Sequence, residues 1–168
     1  MINWVDHTLT ITGEQTELKR FANCFVRAKE GDLFPRYYSD EYNDGEPLTR
    51  RVGELYFSFD KLAPRPEDSE RWVLARWGIK WVACGAEIDL TPGELKLKWS
   101  SGYAPALAVY AELAELFPRL KMRGDYCELM LCIGGEVFCY GGKLTHIDKS
   151  KIIEAEMDAG GGRKWRCS

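Results

Sequence analysis

ACGAEIDLTPGELKLKWSSGYAPALAVYAELAELFPRLKMRGDYC, residues 83–127, changes its hydrophobic period twice, and those changes decide the fold class. Ile88, Leu90, Leu95, Leu97 and Trp99 alternate with polar neighbours on either side of Thr91-Pro92-Gly93, which predicts a β-hairpin over 83–90 and 94–99. Lys96 and Lys98 mark its wet face, and Trp99 falls on its apolar one. From 105 to 117 the spacing turns helical through Leu107, Tyr110, Ala111, Ala114 and Phe117, with Pro105 in the first turn and Pro118 as the stop. A further strand is expected over 121–127. Strand, strand, helix, strand is the second half of the split βαβ pattern, a ferredoxin-like antiparallel sheet with helices packed on one face.

The flanking sequence fits the same α+β class. Thr8-Leu9-Thr10-Ile11-Thr12 alternates like a half-buried strand and stops at Gly13. Over 14–30, Leu18, Phe21, Ala22, Phe25 and Val26 share one helical face, while Glu17, Lys19, Arg20, Arg27 and Lys29 lie mostly on the other. Residues 31–51 lose periodicity and form an inserted long loop, after which 54–60 reads as a strand and 67–77 as a short helix. A last strand over 131–140 pairs with 121–127 across an irregular connection near Leu129. Gly134-Gly135 and Gly141-Gly142 flank that strand and read as turns or bulges, since neither pair opens a helix as a phosphate loop would. The expected organisation is one domain over 1–147, then a C-terminal helix and flexible tail over 148–168.

With 168 residues, 45% hydrophobic and 12% aromatic, one domain can build its core without metal or disulfide support. A formal charge of −3 provides no long-range attraction to polyphosphate. No apolar run is long enough to span a bilayer, and the opening Met1-Ile2-Asn3-Trp4 has no signal-peptide character, so the expected location is the cytoplasm. The cysteines at 24, 84, 127, 132, 139 and 167 are expected to be free thiols. Cys127, Cys132 and Cys139 are too widely spaced for a zinc site; no metal and no cofactor is expected.

Three segments resemble the YubB-like family of phage and plasmid accessory proteins, which has a ferredoxin-like C-terminal region. They are Asn3-Trp4 with Thr8-Leu9-Thr10-Ile11-Thr12-Gly13; Phe57-Ser58-Phe59-Asp60-Lys61-Leu62-Ala63-Pro64-Arg65-Pro66 with Trp77-Gly78-Ile79-Lys80-Trp81; and Ser101-Gly102-Tyr103-Ala104-Pro105 through Phe117-Pro118 to Tyr126 and Glu128. Val5, Ile79 and Val82 stand where the family pattern has a cysteine, a threonine and an acidic residue. Any chemistry those side chains perform in relatives is lost here. The resemblance implies a small accessory protein of a mobile element and carries over no reaction.

Three groups of residues compete as sites. The 31–51 loop sets Tyr37, Tyr38 and Tyr42 among Asp40, Glu41, Asp44 and Glu46, the composition of a protein-binding hot spot, against the plainer reading of a solvated loop packed by its own tyrosines. Trp77, Lys80 and Trp81, with Tyr103, form a possible aromatic and basic surface, although two tryptophans four apart more often pack inside. Glu67, Asp68 and Glu70 fit a helix N-terminus better than an acid–base pair, and His7 and His146 have no orienting partner in sequence. The leading expectation is therefore a non-enzymatic protein, monomeric or weakly dimeric, that binds and inhibits a host protein complex such as a defence effector. The alternative is a single-stranded nucleic-acid-binding module that uses the open face of the ferredoxin-like sheet.

Overall fold

A computed structural model describes residues 3–28, 55–57, 62, 74–79 and 84–158. Strand β1 (Trp4–Thr12) extends the Thr-Leu-Thr-Ile-Thr signature upstream, because Val5 and His7 continue the inward alternation of Leu9 and Ile11. Helix α1 (Gln15–Phe25) follows and buries Leu18, Phe21 and Phe25. It stops earlier than its helical period predicts. Val26 leaves the helix to open a short strand, β2 (Val26–Ala28), paired with β3 (Leu55–Phe57) in a separate two-stranded sheet. Val26 is β-branched and a weak helix former, so a distant strand competes successfully for its backbone.

The hairpin forms as β4 (Cys84–Thr91) and β5 (Glu94–Gly102), turning at Gly93 with φ +83°. Helix α2 (Leu107–Leu116) and strand β6 (Lys121–Glu128) complete the pattern. Then come β7 (Ile133–Tyr140), β8 (Lys143–Asp148) and helix α3 (Ser150–Asp158). The main sheet has the order β4-β5-β1-β6-β7-β8, with every neighbouring pair antiparallel. Its first four strands have the ferredoxin-like order, and β7 and β8 extend it as a meander.

Strand β8 was not foreseen. Its side chains are nearly all exposed, so it lacks the buried alternation that marks a strand in sequence. Gly141 and Gly142, at φ +61° and +78°, make the tight turn that folds β8 back onto β7. Gly134 and Gly135, by contrast, are not turn residues: they lie inside β7 opposite Cys127 and Tyr126.

One face of the sheet is packed. Leu9 and Ile11 of β1, Leu95, Leu97 and Trp99 of β5, Met122 and Tyr126 of β6, and Val137 and Cys139 of β7 belong to one core with α1 and α2. Each fully buried large side chain contributes about 1.5–3 kcal/mol relative to exposure. Phe21, Phe25 and Phe117 meet edge to face, at centroid distances of 4.9 to 5.7 Å. Glu17 of α1 is buried between Arg20, at 3.1 Å, and Arg119, at 2.6 Å, and the two cations hold its carboxyl below the usual range. Helix α1 is thereby tied to the turn that precedes β6.

Candidate nucleic-acid interface

The strand pleat sends Thr8, Thr10 and Thr12 of β1 away from the helices. Register then fixes their neighbours. Thr8 lies between Lys98 of β5 and Asp125 of β6, Thr10 between Lys96 and Arg123, and Thr12 between Glu94 and Lys121. On β7, Glu136 and Phe138 face Asp125 and Arg123 respectively, and Tyr140 lies beside Lys121. These rows form the floor of an open groove of about 760 Å³, lined by the three threonines, Lys121, Arg123, Asp125, Phe138 and Tyr140.

Two cation–aromatic pairs stand side by side in the groove. The Arg123 guanidinium carbon is 5.7 Å from the Phe138 ring centroid, and Lys121 Nζ is 5.5 Å from that of Tyr140. Residues two apart on an antiparallel strand are separated by about 6.8 Å. Tyr140 is 63% exposed, a large aromatic surface left open to water. Lys96 and Lys98 are also exposed, across the threonine row.

The far end is acidic and partly closed. Gly134 leaves room for Ile153 of α3, which is fully buried against that end of β7. Lys149 is paired with Glu136 and holds its carboxyl below the usual range. Asp125 moves the other way, raised first by burial and then by the neighbouring Glu136 charge. The groove thus offers stacking planes and cations at one end and a carboxylate at the other.

His7 is fully engaged in the core. Its Nε2 lies 2.8 Å from Ser101 Oγ and its Nδ1 3.0 Å from the Tyr110 hydroxyl. The Ser101 hydroxyl donates to the Ala104 carbonyl at 2.7 Å, so its oxygen accepts from Nε2–H, and Nδ1 accepts from Tyr110. Burial lowers the pKa of His7 to about 3 and keeps it neutral. Histidine and serine are adjacent, but the serine proton points at a carbonyl and the pair is sealed from solvent. This is a packing network, not a nucleophile and its base.

Tyr37, Tyr38, Asp40, Glu41, Tyr42, Asp44 and Glu46 lie outside the described residues, as do Lys80 and Trp81. Trp77 does not contribute to a surface. It is buried, with its indole N–H donating to Glu112 at 3.2 Å. Tyr103 is 46% exposed in a left-handed backbone conformation at φ 72°, beyond the end of β5, and does not line the groove. Cys24, Cys132 and Cys139 are free thiols as expected, whereas Cys127 is disulfide-bonded. Among the described residues no cluster of three or more His, Cys, Asp or Glu is arranged to hold a metal, and no helix is long and apolar enough to cross a membrane.

The groove residues themselves escaped the sequence reading. A period-two count over 121–127 and 131–140 does put Lys121, Arg123, Asp125, Glu136, Phe138 and Tyr140 on one side. What that count lacks is the pairing register.

No family model matches the chain, and no curated protein matches it. Among solved structures it is similar to the protein api92 from Yersinia pseudotuberculosis, of the DUF1281 family, at a TM-score of 0.55 and 12% identity. The likeness covers 88% of this chain and 97% of that one. At that identity it is the fold that the two chains share.

Proposed function

We propose that the chain binds single-stranded nucleic acid on the open face of its sheet. The observation that carries this reading is the placement of Phe138 and Tyr140 two residues apart on β7, each beside a cation on β6. Bases stack on aromatic faces whatever their sequence, and neighbouring lysine and arginine side chains reach the phosphates. An extended strand has a repeat close to the spacing of the two rings. The threonine hydroxyls between the β5 lysines and the β6 cations add hydrogen-bonding groups for sugar and phosphate.

The formal charge of −3 belongs to the whole chain, whereas the reading rests on a local feature, Lys121 and Arg123 beside the two aromatic rings. The alternative of a protein partner held by Tyr37, Tyr38 and Tyr42 rests on composition, and nothing among the described residues favours it. The mobile-element setting and a cytoplasmic, non-enzymatic role rest on the YubB-like segments and on sequence patterning. They are part of the proposal.

Fluorescence anisotropy with a mixed-sequence single-stranded oligonucleotide tests the reading. Binding should weaken steeply with salt, and the double variant Phe138→Ala/Tyr140→Ala should lose at least tenfold in affinity, given about 1–3 kcal/mol per stacked base, with its circular dichroism unchanged. No binding to the wild type at low salt would overturn the proposal.

A further inference from the structure

We infer that Asp125 makes this surface select bases that present an amino group, favouring cytosine over thymine. The inference rests on the single-strand reading above and adds to it a determinant of specificity. Asp125 lines the groove from the centre of β6, opposite Thr8 on one side and Glu136 on the other. Phe138 is its diagonal neighbour across the β6–β7 pair, about 7–8 Å away between Cα atoms. That is the reach of a pyrimidine ring laid on the phenyl face, whose edge then meets the carboxylate.

Three other carboxylates of this face are already engaged. Asp6 accepts from Ser100 at 2.7 Å, Glu94 pairs with Lys96 at 3.0 Å, and Glu136 pairs with Lys149. Asp125 is different: it accepts no hydrogen bond among the described residues and feels only the charges of Glu136, Arg123 and Lys149. It is half-buried and lines a groove that is open to ligand. A half-buried carboxylate with no protein donor is partly desolvated, and a ligand that donates to it offsets that loss.

Cytosine supplies it through its N4 amino group. Thymine presents the O4 acceptor at the equivalent position, which faces the carboxylate oxygen to oxygen. The two bases have rings of similar size and stack comparably on Phe138, so the difference falls on this one edge. Discrimination of about tenfold or more is expected from a single well-placed contact of this kind.

The test compares oligodeoxycytidylate with oligodeoxythymidylate, each of about twelve nucleotides, by anisotropy on the whole chain. Low salt and slightly alkaline buffer keep cytosine unprotonated. Wild type should bind the cytosine oligomer about tenfold more tightly or better. Asp125→Asn, whose amide both donates and accepts, should bring the ratio near one, and Asp125→Ser should do the same. Equal affinities in the wild type, a preference for thymine, or a cytosine preference that survives in both variants would each overturn the assignment to Asp125 while leaving the proposed function standing. Binding of neither oligomer would overturn the proposed function, and this inference with it.

Discussion

The imidazole of His7 lies flat against the indole of Trp99, with ring centroids 4.9 Å apart and planes 2° from parallel. The two are direct partners across the β1–β5 pair, and Tyr110 of α2 completes the contact from the helical layer. A polar ring is held in the apolar layer because both its nitrogens have partners.

That arrangement makes stability fall in acid. An unfolded histidine titrates near 6.5 while folded His7 titrates near 3, so its contribution is fully present above about pH 6.5 and is lost as pH falls toward 3. Between about pH 8 and pH 5, wild type should lose about 2 kcal/mol through this group. His7→Gln, which does not titrate, should show a correspondingly smaller loss. Urea midpoints of both proteins at the two pH values measure the difference, and identical losses would remove His7 as the cause.

Glycines on two faces of the sheet should respond differently to a methyl group. At Gly124 an added Cβ would lie 2.6 Å from the Thr8 carbonyl, a backbone atom fixed by the β1–β6 ladder. Gly124→Ala is expected to cost about 1–3 kcal/mol. At Gly134 the obstacle is the terminal carbon of Ile153, a side chain that can rotate away, so Gly134→Ala should cost less. Chemical denaturation orders the two.

Glu17 ties α1 to the α2–β6 turn through Arg20 and Arg119. Its folded pKa is lowered, so the stability it gives is present above the ordinary value of 4.5 and is lost as pH falls through the depressed value. Glu17→Gln should therefore lower the thermal midpoint at neutral pH. The gap should close in strong acid, where wild type is protonated too.

Charge and stacking should separate in binding. Arg123→Ala should weaken single-strand binding uniformly across sequences and reduce the slope of log K against log salt by about one. Phe138→Ala should weaken binding with the slope unchanged. Titrations at several salt concentrations distinguish them, and equal slope changes would argue against separate roles.

The ferredoxin-like pattern could be read from residues 83–127 because its hairpin strands alternate and Pro105 and Pro118 bracket its helix. A hairpin or helix that buries one side writes that side into its own residues, at period two or 3.6. Trp99 was placed inward and Lys96 and Lys98 outward by that rule, and the structure agrees. Strand β8 writes no such pattern, since an edge strand with exposed side chains is held by backbone pairing to β7. The early end of α1 is equally non-local, fixed by the pairing of Val26 with Phe57.

The groove belongs to the same class of feature. Alternation alone assigns Arg123 and Phe138 each to an outward side of its strand. Only the antiparallel register sets them opposite one another, with Thr10 and Lys96 in the same row. His7 shows the limit most plainly: isolated in sequence, it gains Ser101 and Tyr110 as partners from 94 and 103 residues away. The sequence by itself determined the inward side of β1 and of the β4–β5 hairpin, because burial there is encoded locally in the period-two alternation. Only the tertiary structure decided which outward residues meet, because strand register is set by contacts between segments far apart in the chain.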